Sequence, residues 1–198
     1  MSDWEDLEPD LPPALGTVLE QGRGSLPFAL LHGEALVTCA VWALGESGVT
    51  PVDLGTDWSG LAESGEPFCL HDSLCPMTPA SFIADCMRHA VATDAIVVGV
   101  RPVTDTVKQV DGGRVGATVD REGLQAVCSP VVLPPRVVRE LAHVPAPDLA
   151  AADLAELVRS LGERHPVELR EAPPEARRVL DVDDVALLEA LTTPESRR

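Results

Sequence analysis

Residues 95–100 read Ala-Ile-Val-Val-Gly-Val, six positions without a polar side chain. A strand of that composition leaves no face for water. It needs cover on both sides, which soluble chains supply by packing helices over a mostly parallel sheet. The preceding stretch fits such a cover. Thr78-Pro79 predicts a helix start, with the threonine as cap, and the helix runs to about Ala92 with Phe82, Ile83, Cys86, Met87 and Ala90 on one face. Further along the chain the pattern recurs. Leu15 to Glu20 predicts a strand, 34–46 a helix whose apolar stripe and Trp42 belong to the core, and Val52–Leu54 and Pro67–Leu70 short strands around a loop at 55–66. Residues 103–130 read as extended pieces about an Asp111-Gly112-Gly113 turn. Helices are expected at 134–142, 149–161 and 183–192, and a strand at Val167–Leu169. Strands alternating with helices define an α/β domain, here over 14–198, behind an acidic, proline-bearing tail at 1–13 that reads as loosely attached.

Composition narrows the function. Aromatic residues make up 3% of the 198 and tyrosine is absent, so the core is built from Leu, Val and Ala. The net charge of −17 excludes nucleic acid as a main partner and disfavours anionic membrane surfaces, because both need clustered cations. No apolar stretch approaches membrane-spanning length, and the start is acidic, so a cytoplasmic protein is expected. Five cysteines without a CxxC pair read as reduced thiols, and the spacing of Cys69, His71, Cys75, Cys86 and His89 matches no standard zinc site. The charge is uneven. Residues 1–70 hold twelve acids and one base, Arg23, for −11; residues 71–198 hold twenty acids and fourteen bases, for −6.

Four motifs are distinctive: His71-Asp72 followed by Pro76; Pro102-Val-Thr-Asp-Thr-Val-Lys108 with Asp111-Gly112-Gly113; Thr118-Val-Asp-Arg-Glu-Gly-Leu124; and Ser129-Pro130. Together they resemble the 2-C-methyl-D-erythritol 4-phosphate cytidylyltransferase family, most strongly over residues 67–130. The resemblance implies a Rossmann-like nucleotidyltransferase domain with a protruding β-arm at 102–130 that exchanges across a homodimer. It also implies transfer of a cytidylyl group from CTP, with Mg²⁺ between the phosphates. By the same resemblance Asp72 is the metal and nucleotide contact, and Thr106 and Arg121 hold the acceptor's phosphate. Ser129 offers a substrate hydroxyl, and Arg178 stands where the family has a lysine.

The nucleotide half departs from the family's pattern. The glycine loop is shortened to Glu20-Gln-Gly-Arg-Gly-Ser25, where the NH groups of Gly22 and Gly24 are the candidate anion cradle. Phe28 stands at the family's triphosphate lysine, Cys75 at an arginine, and the segment that reads cytosine and ribose is missing. Each lost cation removes contacts worth roughly 1.5–3 kcal/mol. Three readings follow: a family member with impaired CTP transfer and a binding or regulatory role, either as a homodimer or beside an active homologue; an active enzyme working through Arg23, Arg178 and Mg²⁺ on Asp72; or the fold reused for an unrelated ligand.

Overall fold

The structure is a computed structural model that describes residues 13–53, 55–143 and 153–193. Its centre is a six-stranded sheet. In chain order the strands and helices are β1 (Leu15–Leu19), the short pair β2 (Leu30–Leu31) and β3 (Glu34–Ala35), α1 (Leu36–Glu46), β4 (Thr50–Pro51), α2 (Trp58–Ser64), β5 (Phe68–Asp72), α3 (Ala80–Thr93) and β6 (Ile96–Pro102). There follow the hairpin β7 (Val107–Asp111) and β8 (Arg114–Val119), then β9 (Gln125–Leu133), α4 (Pro135–Leu141), α5 (Leu154–Gly162), β10 (Val167–Glu171) and α6 (Val182–Thr192). The sheet order is β10-β6-β9-β5-β1-β4, with β9 antiparallel to both neighbours and every other pairing parallel. The mostly parallel, helix-flanked sheet expected from residues 95–100 is what forms.

Alternation along the strands separates two cores. Phe68, Leu70, Ile96, Val98, Val131 and Leu133 face α2, α4 and α5, whose Trp58, Leu61, Val137, Val138, Leu157 and Leu161 close over them. Cys69, Val97 and Val132 face the opposite way, onto α1 and α3 through Leu44, Ile83, Cys86 and Met87. A third cluster joins α6 to the β2–β3 hairpin through Leu31, Leu36, Val185 and Leu188, with Leu74 and Val179 between them. Fully burying one such side chain contributes roughly 1.5–3 kcal/mol, so these clusters hold the layers together.

Several expectations are corrected. Residues 55–66 are not a loop: α2 forms because Trp58 and Leu61, one turn apart, both reach the core, and Gly65 ends it in the left-handed conformation. The edge strand is Thr50–Pro51 rather than 52–54; Val52 lies beyond it, and Leu54 is outside the described residues. Glu34 and Ala35 pair with Leu31 and Leu30, so the helix starts at Leu36. Trp42 is 52% exposed and is not part of the core. Thr78 does not cap α3; its hydroxyl donates to the Cys75 carbonyl, and Pro79 takes the cap position. The separate hairpin is 107–119, whereas Gln125–Leu133 is an inner strand of the central sheet, so the segment expected as an arm over 102–130 divides in two. The predicted tail falls outside the described residues except for Pro13, as do residues 149–152 of the predicted helix at 149–161.

Candidate functional site

The chain passes from β1 to β4 on one side and then crosses back to place β5 on the other side of β1. In an open α/β sheet, such a reversal leaves a crevice at the carboxyl ends of the two strands, the usual place for a ligand. Here that crevice lies between the loop after β1 and the end of β5. Ser73 ties the two strand ends together, its NH and hydroxyl both donating to the Leu19 carbonyl (3.1 and 2.7 Å).

Asp72 is the last residue of β5, and both of its carboxylate oxygens are engaged. Oδ1 accepts from Arg23 Nε at 2.6 Å and from the Leu74 NH at 3.0 Å. Oδ2 accepts from Arg178 Nε at 3.0 Å. Burial alone would raise the carboxyl's pKa. The Arg23 hydrogen bond and charge, the Leu74 amide and the Arg178 charge outweigh it and hold Asp72 below the usual carboxylate range. It is ionised at neutral pH.

Local structure explains how each arginine arrives. Gly22 and Gly24 both have positive φ (74° and 62°), which lets the loop over residues 20–25 turn back on itself. Arg23 also donates from Nη1 to the Gln21 carbonyl at 2.6 Å, and its side chain is only 6% exposed. On the other wall, Val179 is fully buried and its NH donates to the Leu74 carbonyl at 2.7 Å, which sets the neighbouring Arg178 toward Asp72. Arg177 is drawn aside by Asp184 (3.0 Å) near the start of α6, where Asp181 caps the helix by accepting from the Asp183 and Asp184 NH groups.

A cleft of about 300 Å³ opens over this group, lined by Gln21, Gly22, Arg23, Asp72, Asp153 and Arg178 among others. Asp153 caps α5 by accepting from the Ala155 and Glu156 NH groups. A second cleft of about 450 Å³ shares Val127 and Arg178 with the first and adds Arg101, Thr104, Cys128 and Arg177.

The structure therefore brings together Gly22, Arg23, Asp72 and Arg178 of the expected site. Gly24 shapes the loop but does not line the cleft. Thr106 and Arg121 are exposed at the root of the hairpin, where Arg121 donates to the Thr104 carbonyl, and neither lines either cleft. Ser129 is fully buried behind Asp72. Its hydroxyl accepts from the Asp72 NH at 3.0 Å and lies 2.5 Å from His71 Nδ1. Burial lowers the His71 pKa to about 4 despite the Asp72 carboxylate beside it, so the imidazole is neutral. Asp153 and the His71–Ser129 contact are additions that sequence reasoning missed.

For a metal, the donor set is sparse. Among the described residues no group of three or more His, Cys, Asp and Glu side chains could hold an ion unaided. Mg²⁺ is commonly held by one or two carboxylates with substrate phosphates completing its shell, and the single carboxylate of Asp72 fits that mode. Among the described residues no helix is long and apolar enough to cross a membrane.

Solved structures with this fold include 2-C-methyl-D-erythritol 4-phosphate cytidylyltransferase from Thermus thermophilus, at TM-score 0.66 and 24% identity, covering 91% of this chain and 98% of that one. The Francisella tularensis enzyme of the same name matches at TM-score 0.62 and 13% identity, covering 89% and 98%. These likenesses place the chain in the nucleotidyltransferase fold of those enzymes. The family model for 2-C-methyl-D-erythritol 4-phosphate cytidylyltransferase matches residues 57–193, more than half of the chain, and the chain belongs to that family. Curated relatives bear the same name in Corynebacterium diphtheriae (30% identical, 84% of this chain and 64% of that protein) and Saccharopolyspora erythraea (37%, 62% and 53%). A bifunctional IspD/IspF enzyme of Solidesulfovibrio magneticus is 34% identical over 63% of this chain and 31% of its own length. The chain thus spans less than two thirds of each of these three relatives.

Proposed function

We propose that this family member binds a phosphorylated ligand in the Arg23–Asp72–Arg178 cleft, that its transfer of the cytidylyl group from CTP is impaired, and that it serves as a binding or regulatory subunit. The observation that carries the reading is the charge at the cleft. Two guanidinium groups share the Asp72 carboxylate, and Asp153 adds a second carboxylate to the lining, so the cleft offers no net positive charge to meet a triphosphate of about four negative charges. Phe28, at the place of the family's lysine, is 62% exposed and contributes no charge. Cys75, at the place of an arginine, is buried; burial first, then the nearby Asp72 charge, pushes its thiol up, so it stays neutral. The family model's match beginning at residue 57, downstream of the glycine loop, agrees with this division.

Mg²⁺ brought by a nucleotide would be held at Asp72 and would neutralise phosphate charge, while the more exposed Arg178 would turn from Asp72 to the phosphate oxygens and Arg23 would stay on the carboxylate. Thr106 and Arg121, exposed on the hairpin, are suited to meet a second chain, either a copy of this one or an active homologue. One observation favours the competing reading of an active enzyme: the loop after β1 and the segment before α6 still converge on Asp72 over an open cleft.

Calorimetric titration with CTP and Mg²⁺, followed by a pyrophosphate-release assay with methylerythritol phosphate, decides between them. The expected result is binding no tighter than millimolar and turnover far below that of the Corynebacterium diphtheriae relative assayed in parallel. Micromolar CTP binding, with pyrophosphate release that vanishes in Asp72→Ala, would overturn the proposal in favour of the active enzyme.

A further inference from the structure

Asp72 is held from the front by two arginines and from behind by a contact set that no solvent reaches. His71 is 0% exposed; Nδ1 has Ser129 Oγ as partner, and among the described residues Nε2 has none. A fully buried imidazole with an unpartnered nitrogen destabilises the fold relative to an apolar side chain of similar size, so its retention calls for an offsetting contact.

The strand register supplies one. Pairing between β5 and β9 stops at Leu70 with Val131. Across the other edge of β9, Val98 pairs with Val131 but Val100 pairs with Val127, so β9 carries two extra residues in a bulge at 128–130. Bulges interrupt a ladder and re-aim side chains beside functional sites. The β6 residue facing this bulge is Gly99, where a side chain would meet the Ser129 carbonyl at 2.6 Å, so the bulge is packed tightly against the sheet. Beyond the last ladder pair of β5 and β9, the Asp72 NH donates to the Ser129 hydroxyl at 3.0 Å. Because that hydroxyl oxygen accepts from Asp72, its own hydrogen is free to go to Nδ1 of the neutral imidazole.

We propose that Ser129 and His71 are positioning residues: His71 orients the Ser129 hydroxyl, which accepts from the Asp72 NH and fixes the backbone of Asp72 so that its carboxylate meets Arg23 and Arg178. Ser129 acts through Asp72 and makes no contact with the ligand. The inference rests on the reading of the Arg23–Asp72–Arg178 cleft as a phosphorylated-ligand site, and its test is built so that the two can fail separately.

The first arm needs no ligand. Guanidinium NεH signals of Arg23 and Arg178, followed by nitrogen-resolved NMR, report directly on their bonds to Asp72. Both are expected to be protected from solvent exchange in the unsubstituted chain, to lose about tenfold of that protection in Ser129→Ala, the net worth of one hydrogen bond, and to regain it in Ser129→Thr. His71→Leu should match Ser129→Ala, and the double variant should be no worse than either single one. Unchanged NεH protection in a folded Ser129→Ala protein would overturn the inference. If His71→Leu does not fold, the contrast between alanine and threonine at 129 decides the question alone.

The second arm titrates CTP with Mg²⁺, and separately inorganic phosphate, into the same proteins. Equal, non-additive losses of affinity of about tenfold support positioning through Asp72. Additive losses would mean that Ser129 touches the ligand and would overturn the inference. If the unsubstituted chain binds neither probe, the ligand reading fails, and the NMR arm still decides the positioning role.

Discussion

Arg23 and Arg178 reach the same carboxylate from opposite walls of one cleft, yet they do so in different settings. The Arg23 side chain is 6% exposed and its bond to Asp72 is 2.6 Å; the Arg178 side chain is 36% exposed and its bond is 3.0 Å. Arg23 comes from the glycine loop upstream of the family model's match, whereas Arg178 comes from within it. A guanidinium sealed against a buried carboxylate is part of the fold, because neither charge can return to water without its partner. One that keeps a third of its surface in solvent can change partners at little cost. The two cations therefore differ in how free each is to serve a ligand, Arg178 more than Arg23.

The largest effect that would test this contrast is on stability. Arg23→Ala leaves Asp72 buried beside only the half-exposed Arg178, and losing one partner of a buried pair typically costs about 3–5 kcal/mol. Urea unfolding of Arg23→Ala should show a loss of that order, and Asp72→Asn added to it should recover part of the loss, because the stranded charge is then gone. An Arg23→Ala protein as stable as its parent would mean that Arg23 is no more structural than Arg178, and the comparison would collapse.

Acid probes the same buried group from behind. His71 titrates near 6.5 when unfolded, and burial lowers it to about 4 in the fold. Above pH 6.5 neither state holds the proton. Between 6.5 and about 4 the unfolded chain takes it while the folded chain does not, so stability falls as pH falls across that window, by roughly 3 kcal/mol in all. Asp72, whose folded pKa is depressed, adds a loss of the same sign at lower pH. Denaturation midpoints measured from pH 7.5 to 4 should follow this slope, and His71→Leu should flatten it. An unchanged slope in that variant would assign the acid sensitivity to other groups.

How much of this was legible in the sequence depended on how many residues carried each signal. The strand at 95–100 and the helix after Pro79 are dense apolar patterns, and both form at nearly the expected places. Helix α2 was hidden because Trp58 and Leu61 alone anchor seven residues that also include Gly60, Glu63 and two serines, a composition that reads as loop. Trp42 misled in the other direction: helical spacing puts it among apolar neighbours, but which side of α1 the sheet covers is set by packing. Asp72 was marked by its place after His71, and the resemblance supplied Arg178. The bonds that define the cleft join residues 49 and 106 positions apart, and the Ser129 contacts bridge 57 and 58, separations at which a single sequence carries no distance information. The family resemblance makes Ser129 a substrate hydroxyl, whereas the β9 bulge that buries it is a property of three strands together.

Arg178→Gln sharpens the comparison through the smallest change in stability. With a third of its side chain in water, its bond to Asp72 is screened, and exposed pairs contribute about 0–1 kcal/mol. Arg23 and the Leu74 NH remain on the carboxylate, so Asp72 is not stranded, and the urea midpoint should move by less than about 1 kcal/mol. Ligand binding should move more. If Arg178 is the cation that turns to a phosphate, losing one charge-assisted contact weakens CTP or inorganic phosphate by about tenfold or more. Calorimetry on the same preparation used for unfolding reads both quantities. A large loss of stability with unchanged phosphate affinity would reverse the roles of the two arginines, making Arg178 the structural partner and directing the search for a ligand to the glycine-loop side.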